Sequence, residues 1–122
     1  MSDTKIIAVV DDDESVRMAL DGLLRSNGYS VRLYANAEAF LGSEGPRTTA
    51  CLISDIQMPG LSGIQLYETL HAQGVDIPVI FITGYSGPSP TLDPTLPAPI
   101  AFFPKPFSCA QLMACLEGLM GR

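Results

Sequence analysis

Ile6-Ile7-Ala8-Val9-Val10-Asp11-Asp12-Asp13 is the stretch from which the fold is read. Five apolar residues without polar alternation suit a strand covered on both faces, as in a parallel sheet flanked by helices. The run stops at consecutive carboxylates. Beyond them Val16, Ala19, Leu20, Leu23 and Leu24 recur with helical period until Gly28, a natural stop.

The same alternation continues along the chain. Val31 to Tyr34, Cys51 to Ile53, Val79 to Ile82 and Ile100 to Phe103 are the remaining candidate strands, five in all. Asn36 can cap a short helix through Leu41. Ser62 can cap a longer one carrying Ile64, Leu66, Tyr67 and Leu70, ended by Gly74, and Ser108 opens a last helix through Leu119. Strands alternating with helices imply right-handed crossovers and a doubly wound α/β fold with a five-stranded parallel sheet. A helix is due after the fourth strand, but Gly87 to Pro99 contains five prolines. Each proline costs a helix interior roughly 3 kcal/mol, so a proline-rich loop is expected in the helix's place.

At 122 residues, with no internal repeat or inter-domain linker, the chain is expected to form one domain, residues 1–122. A composition 47% apolar and 16% charged is that of a folding chain. The net charge of -6 argues against direct nucleic-acid binding, which needs clustered Lys and Arg. No apolar run reaches membrane-spanning length and no cleavable leader is visible, so a cytoplasmic protein with no membrane partner is expected. Cys51, Cys109 and Cys115 lack ligand spacing and read as buried thiols. Met18, Met113 and Met120 read as core filling, and His71, with no Cys/His or Ser/His partner, has no catalytic role.

In a doubly wound sheet the ligand site lies beyond the carboxyl ends of the strands. The polar residues there are Asp11-Asp12-Asp13 after strand one, Asp55 after strand three, Thr83 after strand four and Lys105 after strand five. Carboxylates about 5 Å apart repel by roughly 3 kcal/mol per pair at an effective dielectric near 20, so this cluster calls for a cation. Oxygen donors without His or Cys suit Mg²⁺. An Asp carboxylate can be a nucleophile toward phosphorus, and Asp55 is best placed for it, with Met58-Pro59-Gly60 turning the chain away. Lys105 and Thr83 supply a cation and a hydroxyl donor.

At these residues the chain resembles the receiver domains of bacterial two-component response regulators. The resemblance rests on Val9-Val10-Asp11-Asp12-Asp13, Ser54-Asp55-Ile56-Gln57-Met58-Pro59-Gly60, Phe81-Ile82-Thr83-Gly84 and Pro104-Lys105-Pro106-Phe107. Ala37-Glu38-Ala39-Phe40-Leu41 and Gly60-Leu61-Ser62-Gly63 are similar to the nitrogen-fixation and nitrate-response regulator type. The resemblance implies a flavodoxin-like sheet in strand order 2-1-3-4-5 and a phosphorylation-dependent switch rather than an enzyme. It implies Asp55 as phosphoacceptor and Mg²⁺ held by Asp12, by Asp11 through water, by Asp55 and by the Gln57 carbonyl. Lys105 would pair with the phosphoryl group. Thr83 and Phe102 would be the switch residues, with an ordinary core Phe the alternative for Phe102. Gln57 and Tyr85 would modulate phosphoryl lifetime. The implied partners are a sensor histidine kinase or phosphotransfer protein and a downstream effector domain or protein. Two other readings stay open: a binding-only pseudo-receiver, and a haloacid-dehalogenase-like phosphatase with Asp11 as nucleophile, Asp13 as general acid, and Thr83 and Lys105 assisting.

Overall fold

The computed structural model describes residues 5–84, 99, 101–105 and 107–120. Tyr85 and, save Pro99, the proline-rich run expected to replace a helix lie outside the described residues. The elements are β1 (Ile6–Val10), α1 (Glu14–Ser26), β2 (Ser30–Tyr34), α2 (Ala37–Leu41), α3 (Gly45–Thr48), β3 (Thr49–Asp55), α4 (Gly63–Ala72), β4 (Val79–Thr83), β5 (Ala101–Pro104) and α5 (Cys109–Met120). The five strands form one sheet in the order β2-β1-β3-β4-β5, and every pairing is parallel. The expected doubly wound architecture and strand order are both present.

The period of two along each strand divides the core. Ile7 and Val9 of β1 join Ile53, Ile80 and Ile82 on the face covered by Leu20 and Leu24 of α1 and Leu112 and Leu116 of α5. Ala8 and Val10 join Leu52, Val79 and Phe81 on the other face, under Phe40 of α2 and Leu66, Tyr67 and Leu70 of α4. Each fully buried Leu or Phe stabilises the fold by about 1.5–3 kcal/mol. A sheet covered on both faces therefore needs apolar residues at both phases of each strand, which is why the strands read as continuous apolar runs.

The helix boundaries follow local chemistry. Asn36 Oδ1 accepts from the Ala39 amide, capping α2. At α4, Ser62 accepts from the Gln65 amide while the Gln65 side chain accepts from the Ser62 amide, a reciprocal capping box. Gly28 and Gly74 end α1 and α4 with φ of 90° and 75°, the left-handed conformation a side chain would oppose.

Three details correct the expectations. The four-residue α3 was not predicted, since Gly45-Pro46-Arg47-Thr48 is too short to show a period and Pro46 is tolerated only because it lies in the first turn. Met18 is 51% exposed on the outer side of α1, so it does not fill the core, although Met113 does. Of the thiols only Cys51 is buried, with Cys115 half-buried and Cys109 exposed at the start of α5.

Candidate phosphoacceptor and cation site

The sheet's parallel direction brings the carboxyl ends of β1, β3, β4 and β5 to one edge. Backbone bonds carry the pairing past the last strand residues: the Asp11 amide donates to Tyr34 O, the Ile56 amide to Ile82 O and the Lys105 amide to Thr83 O. These bonds fix the stems from which the polar side chains project. Asp11, Asp12 and Asp55 each bring a carboxylate oxygen within 4.8 Å of the others. Asp11 and Asp55 are buried and Asp12 is exposed at the rim.

Lys105 closes the cluster. Its Nζ lies 3.2 Å from Asp11 Oδ2 and 3.4 Å from Asp55 Oδ2. Burial disfavours the Lys105 charge, but the two carboxylates outweigh that and raise its pKa. For Asp55, burial is the leading effect and the Asp11 charge adds to it. Together they raise its pKa against the opposing pull of Lys105 and a backbone hydrogen bond from Gln57. One lysine does not neutralise the site.

The turn around Asp11 is closely tied. Asp11 Oδ1 accepts from the Asp13 amide at 2.8 Å, and the Asp11 carbonyl accepts from Arg17 Nη1 at 2.7 Å. Asp13 is turned to a different task, its Oδ1 capping α1 through the Ser15 amide at 2.8 Å. On the β3 side the Ser54 hydroxyl donates to the Asp55 carbonyl at 2.8 Å. Gly63, the first residue of α4, donates its amide to Ile56 O at 2.8 Å, and a Cβ at this position would lie 2.2 Å from the Asp55 carbonyl oxygen. A side chain there cannot coexist with the present course of the Asp55 backbone.

The structure thus gathers Asp11, Asp12, Asp55 and Lys105. Thr83 stands half-buried at the end of β4, joined to Lys105 through the backbone. Gln57 is exposed just beyond Asp55. Phe102 is 38% exposed and stacks on Phe81, with centroids 5.4 Å apart and rings inclined by 24°. It is not an interior Phe. Sequence reasoning missed Arg17, Ser54 and Gly63. Arg17 is one of several surface-type cations in the sequence, and only the turn geometry shows which atom it reaches. Gly63 could have been noticed as a glycine at a helix's first position, where none is needed for capping.

The site's donors fit Mg²⁺. They are hard oxygens without nitrogen or sulfur ligands, and the buried Asp11 Oδ2, 3.2 Å from the Lys105 ammonium, keeps a second lone pair with which to accept a cation.

Comparison with known proteins agrees with this geometry. Residues 7–117 match the model of the response regulator receiver domain family. The transcriptional regulatory protein FixJ of Azorhizobium caulinodans is 34% identical over 122 residues, covering 100% of this chain and 58% of that protein. The response regulator TmoT of Ectopseudomonas mendocina is 37% identical over 112 residues, covering 92% of this chain and 51% of its own. The chain therefore spans between half and three-fifths of these relatives. Among solved structures, FixJ-N superposes with a TM-score of 0.79 at 30% identity, covering 100% of this chain and 97% of that one. The response regulator StyR superposes at 0.87 and 40% identity, covering 94% and 58%. Among the described residues no helix is long and apolar enough to cross a membrane.

Proposed function

Since the chain belongs to the response regulator receiver domain family, we propose that it is a phosphorylation-dependent signalling switch whose phosphoacceptor is Asp55. The observation that carries this reading is the buried Asp55 carboxylate, set within 4.8 Å of two further carboxylates and 3.4 Å from the Lys105 ammonium. A nucleophile and its electrostatic support stand at one strand-end crevice.

In the proposed reaction an Asp55 carboxylate oxygen attacks the phosphorus of a phospho-histidine on a sensor kinase or phosphotransfer protein. The P–O bond forms as the P–N bond breaks, and the departing imidazole nitrogen takes a proton. Water attacking the same phosphorus later releases inorganic phosphate and restores the carboxylate. Phosphoryl transfer is chiefly positioning and neutralisation of charge on the equatorial oxygens. Lys105 supplies a permanent cation there, and Thr83 a hydroxyl able to turn toward a phosphoryl oxygen. Asp11, Asp12, Asp55 and the Gln57 carbonyl would hold Mg²⁺, which when bound supplies Lewis-acid neutralisation of the phosphoryl oxygens.

Phosphorylation adds negative charge beside Thr83 and biases the protein toward a state in which Thr83 and the exposed Phe102 turn inward. The altered surface is read by an effector domain or protein. The greater length of relatives named as transcriptional regulators supports that downstream partner. The domain assists its own phosphorylation and dephosphorylation rather than turning over a separate substrate. We assign residues 1–122 to this one domain and the cytoplasm as its place. Gln57 and Tyr85 are proposed to adjust how fast water removes the phosphoryl group. That Asp13 Oδ1 caps α1 counts against the phosphatase alternative, in which Asp13 would be the general acid.

The test is intact mass after incubation with a small-molecule phosphodonor and Mg²⁺. A gain of one phosphoryl group in the wild type and none in Asp55→Asn is the expected result. No gain in the wild type, with the donor active on a control receiver, supports the binding-only pseudo-receiver instead.

A further inference from the structure

Arg17 is not part of the phosphoryl pocket, yet its side chain reaches back across the turn that carries two of the proposed metal ligands. From the first turn of α1, Nη1 donates to the Asp11 carbonyl at 2.7 Å in a partly buried, charge-assisted bond. The Arg17 amide meanwhile donates to Asp13 O at 3.1 Å. The residue grips the acidic turn at both ends. Asp11 is also held by its own amide on Tyr34 O and by Oδ1 on the Asp13 amide. Asp12 differs. It is exposed, and its side chain has no hydrogen-bond partner among the described residues. The direction in which its carboxylate points is set by the backbone on either side, and the peptide before it is the one Arg17 clamps.

We propose that Arg17 is a positioning residue for the cation site: by fixing the Asp11–Asp12 peptide it holds the Asp12 carboxylate toward Asp11 and Asp55. This rests on the Mg²⁺ reading above. Two effects compete when Arg17 is removed. Loss of a nearby positive charge draws a cation in, whereas a freed peptide lets Asp12 turn to solvent. The guanidinium is partly exposed, so its field is screened by water, whereas the Asp12 backbone is held on one side by the Asp13 amide on Asp11 Oδ1 and on the other, at the Asp11 carbonyl, by Arg17. Positioning is therefore the larger effect. Partners that orient a metal's ligands typically control about 10–100-fold in affinity.

The experiment is calorimetric titration with Mg²⁺ alone, on the full chain, for the wild type, Arg17→Met and Arg17→Lys, with thermal melting in a chelator run beside it. Arg17→Met is expected to weaken Mg²⁺ binding about 10-fold or more, and Arg17→Lys, which keeps the charge and one donor, to stay within about threefold of the wild type. Phosphorylation by a small-molecule donor, which removes partner docking from the readout, should slow at limiting Mg²⁺ and recover at saturating Mg²⁺. Unchanged or tighter Mg²⁺ binding by Arg17→Met overturns the proposal, because Arg17 would then be a structural fork or merely a repelling charge. Should Arg17→Met fail to fold, Arg17→Gln, neutral and too short to span the turn, decides by the same affinity criterion. Absence of Mg²⁺ binding by the wild type itself overturns the metal reading, and this proposal with it, and is distinguishable from the other outcomes.

Discussion

At the scale of single residues the site is held in a state it would leave if its charges were allowed to relax. Asp55 is buried beside Asp11, and burial followed by that neighbouring charge raises its pKa above the usual 3.8. A carboxyl whose pKa is higher folded than unfolded binds its proton more tightly in the fold. Its ionised form therefore opposes folding at neutral pH, and the penalty is relieved as pH falls through the folded pKa toward 3.8. Like charges at this separation repel by roughly 3 kcal/mol at an effective dielectric near 20, and Lys105 offsets much of it. In chelator, Asp55→Asn should thus be more stable than the wild type at pH 7 by about 1 kcal/mol, or roughly 4 °C in Tm, with the gap shrinking on acidification. Thermal melts at several pH values check this, and a variant no more stable at pH 7 would show that Lys105 already balances the pocket. The thiols give a second contrast. Burial, with a smaller contribution from Cys115, pushes Cys51 up to about 12, whereas Cys109 is exposed. Iodoacetamide at pH 8 should label Cys109 readily and spare Cys51 until denaturant is added, as peptide mapping would read out. Prompt native labelling of Cys51 would mean that β3 opens far more often than a core strand should.

Among the elements, α4 bears most directly on Asp55. Its capping box fixes where the helix begins, and its first residue lies against the backbone of Asp55, with room for a hydrogen but not a methyl group. Gly63→Ala must move either the helix or the Asp55 peptide. The helix is anchored by Leu66, Tyr67 and Leu70 in one half of the core, so the loop between Asp55 and Ser62 is the part that yields. Overpacking of this kind costs about 1–3 kcal/mol, and a shift of about 1 Å in a reacting group costs on the order of 10²-fold in rate. Phosphorylation of Gly63→Ala followed by intact mass should slow by that factor while the far-UV circular dichroism keeps its helical form. A wild-type rate would show that the helix, not the Asp55 backbone, gives way. The same element shows where sequence reading works. Ser62 and Gly74 announce the ends of α4 through chemistry local to the chain, as Asn36 does for the start of α2. Met18 misleads because helical period alone does not say which of two neighbouring stripes faces the sheet. The short α3 leaves no period at all.

Over the whole molecule, the architecture was legible because a doubly covered parallel sheet writes itself into the sequence as unbroken apolar runs such as Ile6 to Val10 and Val79 to Ile82. Polar residues follow the runs of β1, β3, β4 and β5, so Asp11, Asp12, Asp55 and Lys105, which the topology brings together, could be named as candidates in advance, as could Thr83, which is joined to Lys105 through the backbone. What could not be read is whatever depends on a distance between elements: that Arg17 reaches the Asp11 carbonyl, that Gly63 meets Asp55, and that Phe102 stacks on Phe81 while remaining exposed. The same gathering makes stability a reporter of the site. The residues proposed to hold the cation follow β1 and β3, so a cation bound there would tie those two strands together and would be lost when they separate. A ligand that binds only the folded chain stabilises it by RT ln(1 + [L]/Kd), about 1.4 kcal/mol at ten times Kd, or roughly 5 °C in Tm for a chain of this size. Mg²⁺ should raise Tm by that amount and chelator should reverse it. The rise should be largely abolished in Asp12→Asn and Asp55→Asn, because each would remove one of the three carboxylates proposed to hold the ion. Ca²⁺ at the same concentration should also raise Tm, because the donors are all oxygen, whereas thiol- or imidazole-seeking metals should gain no comparable advantage. A Tm rise equal in the wild type and both variants would place the ion elsewhere on this acidic surface. The carboxylate cluster would then be a charge pocket balanced by Lys105 alone.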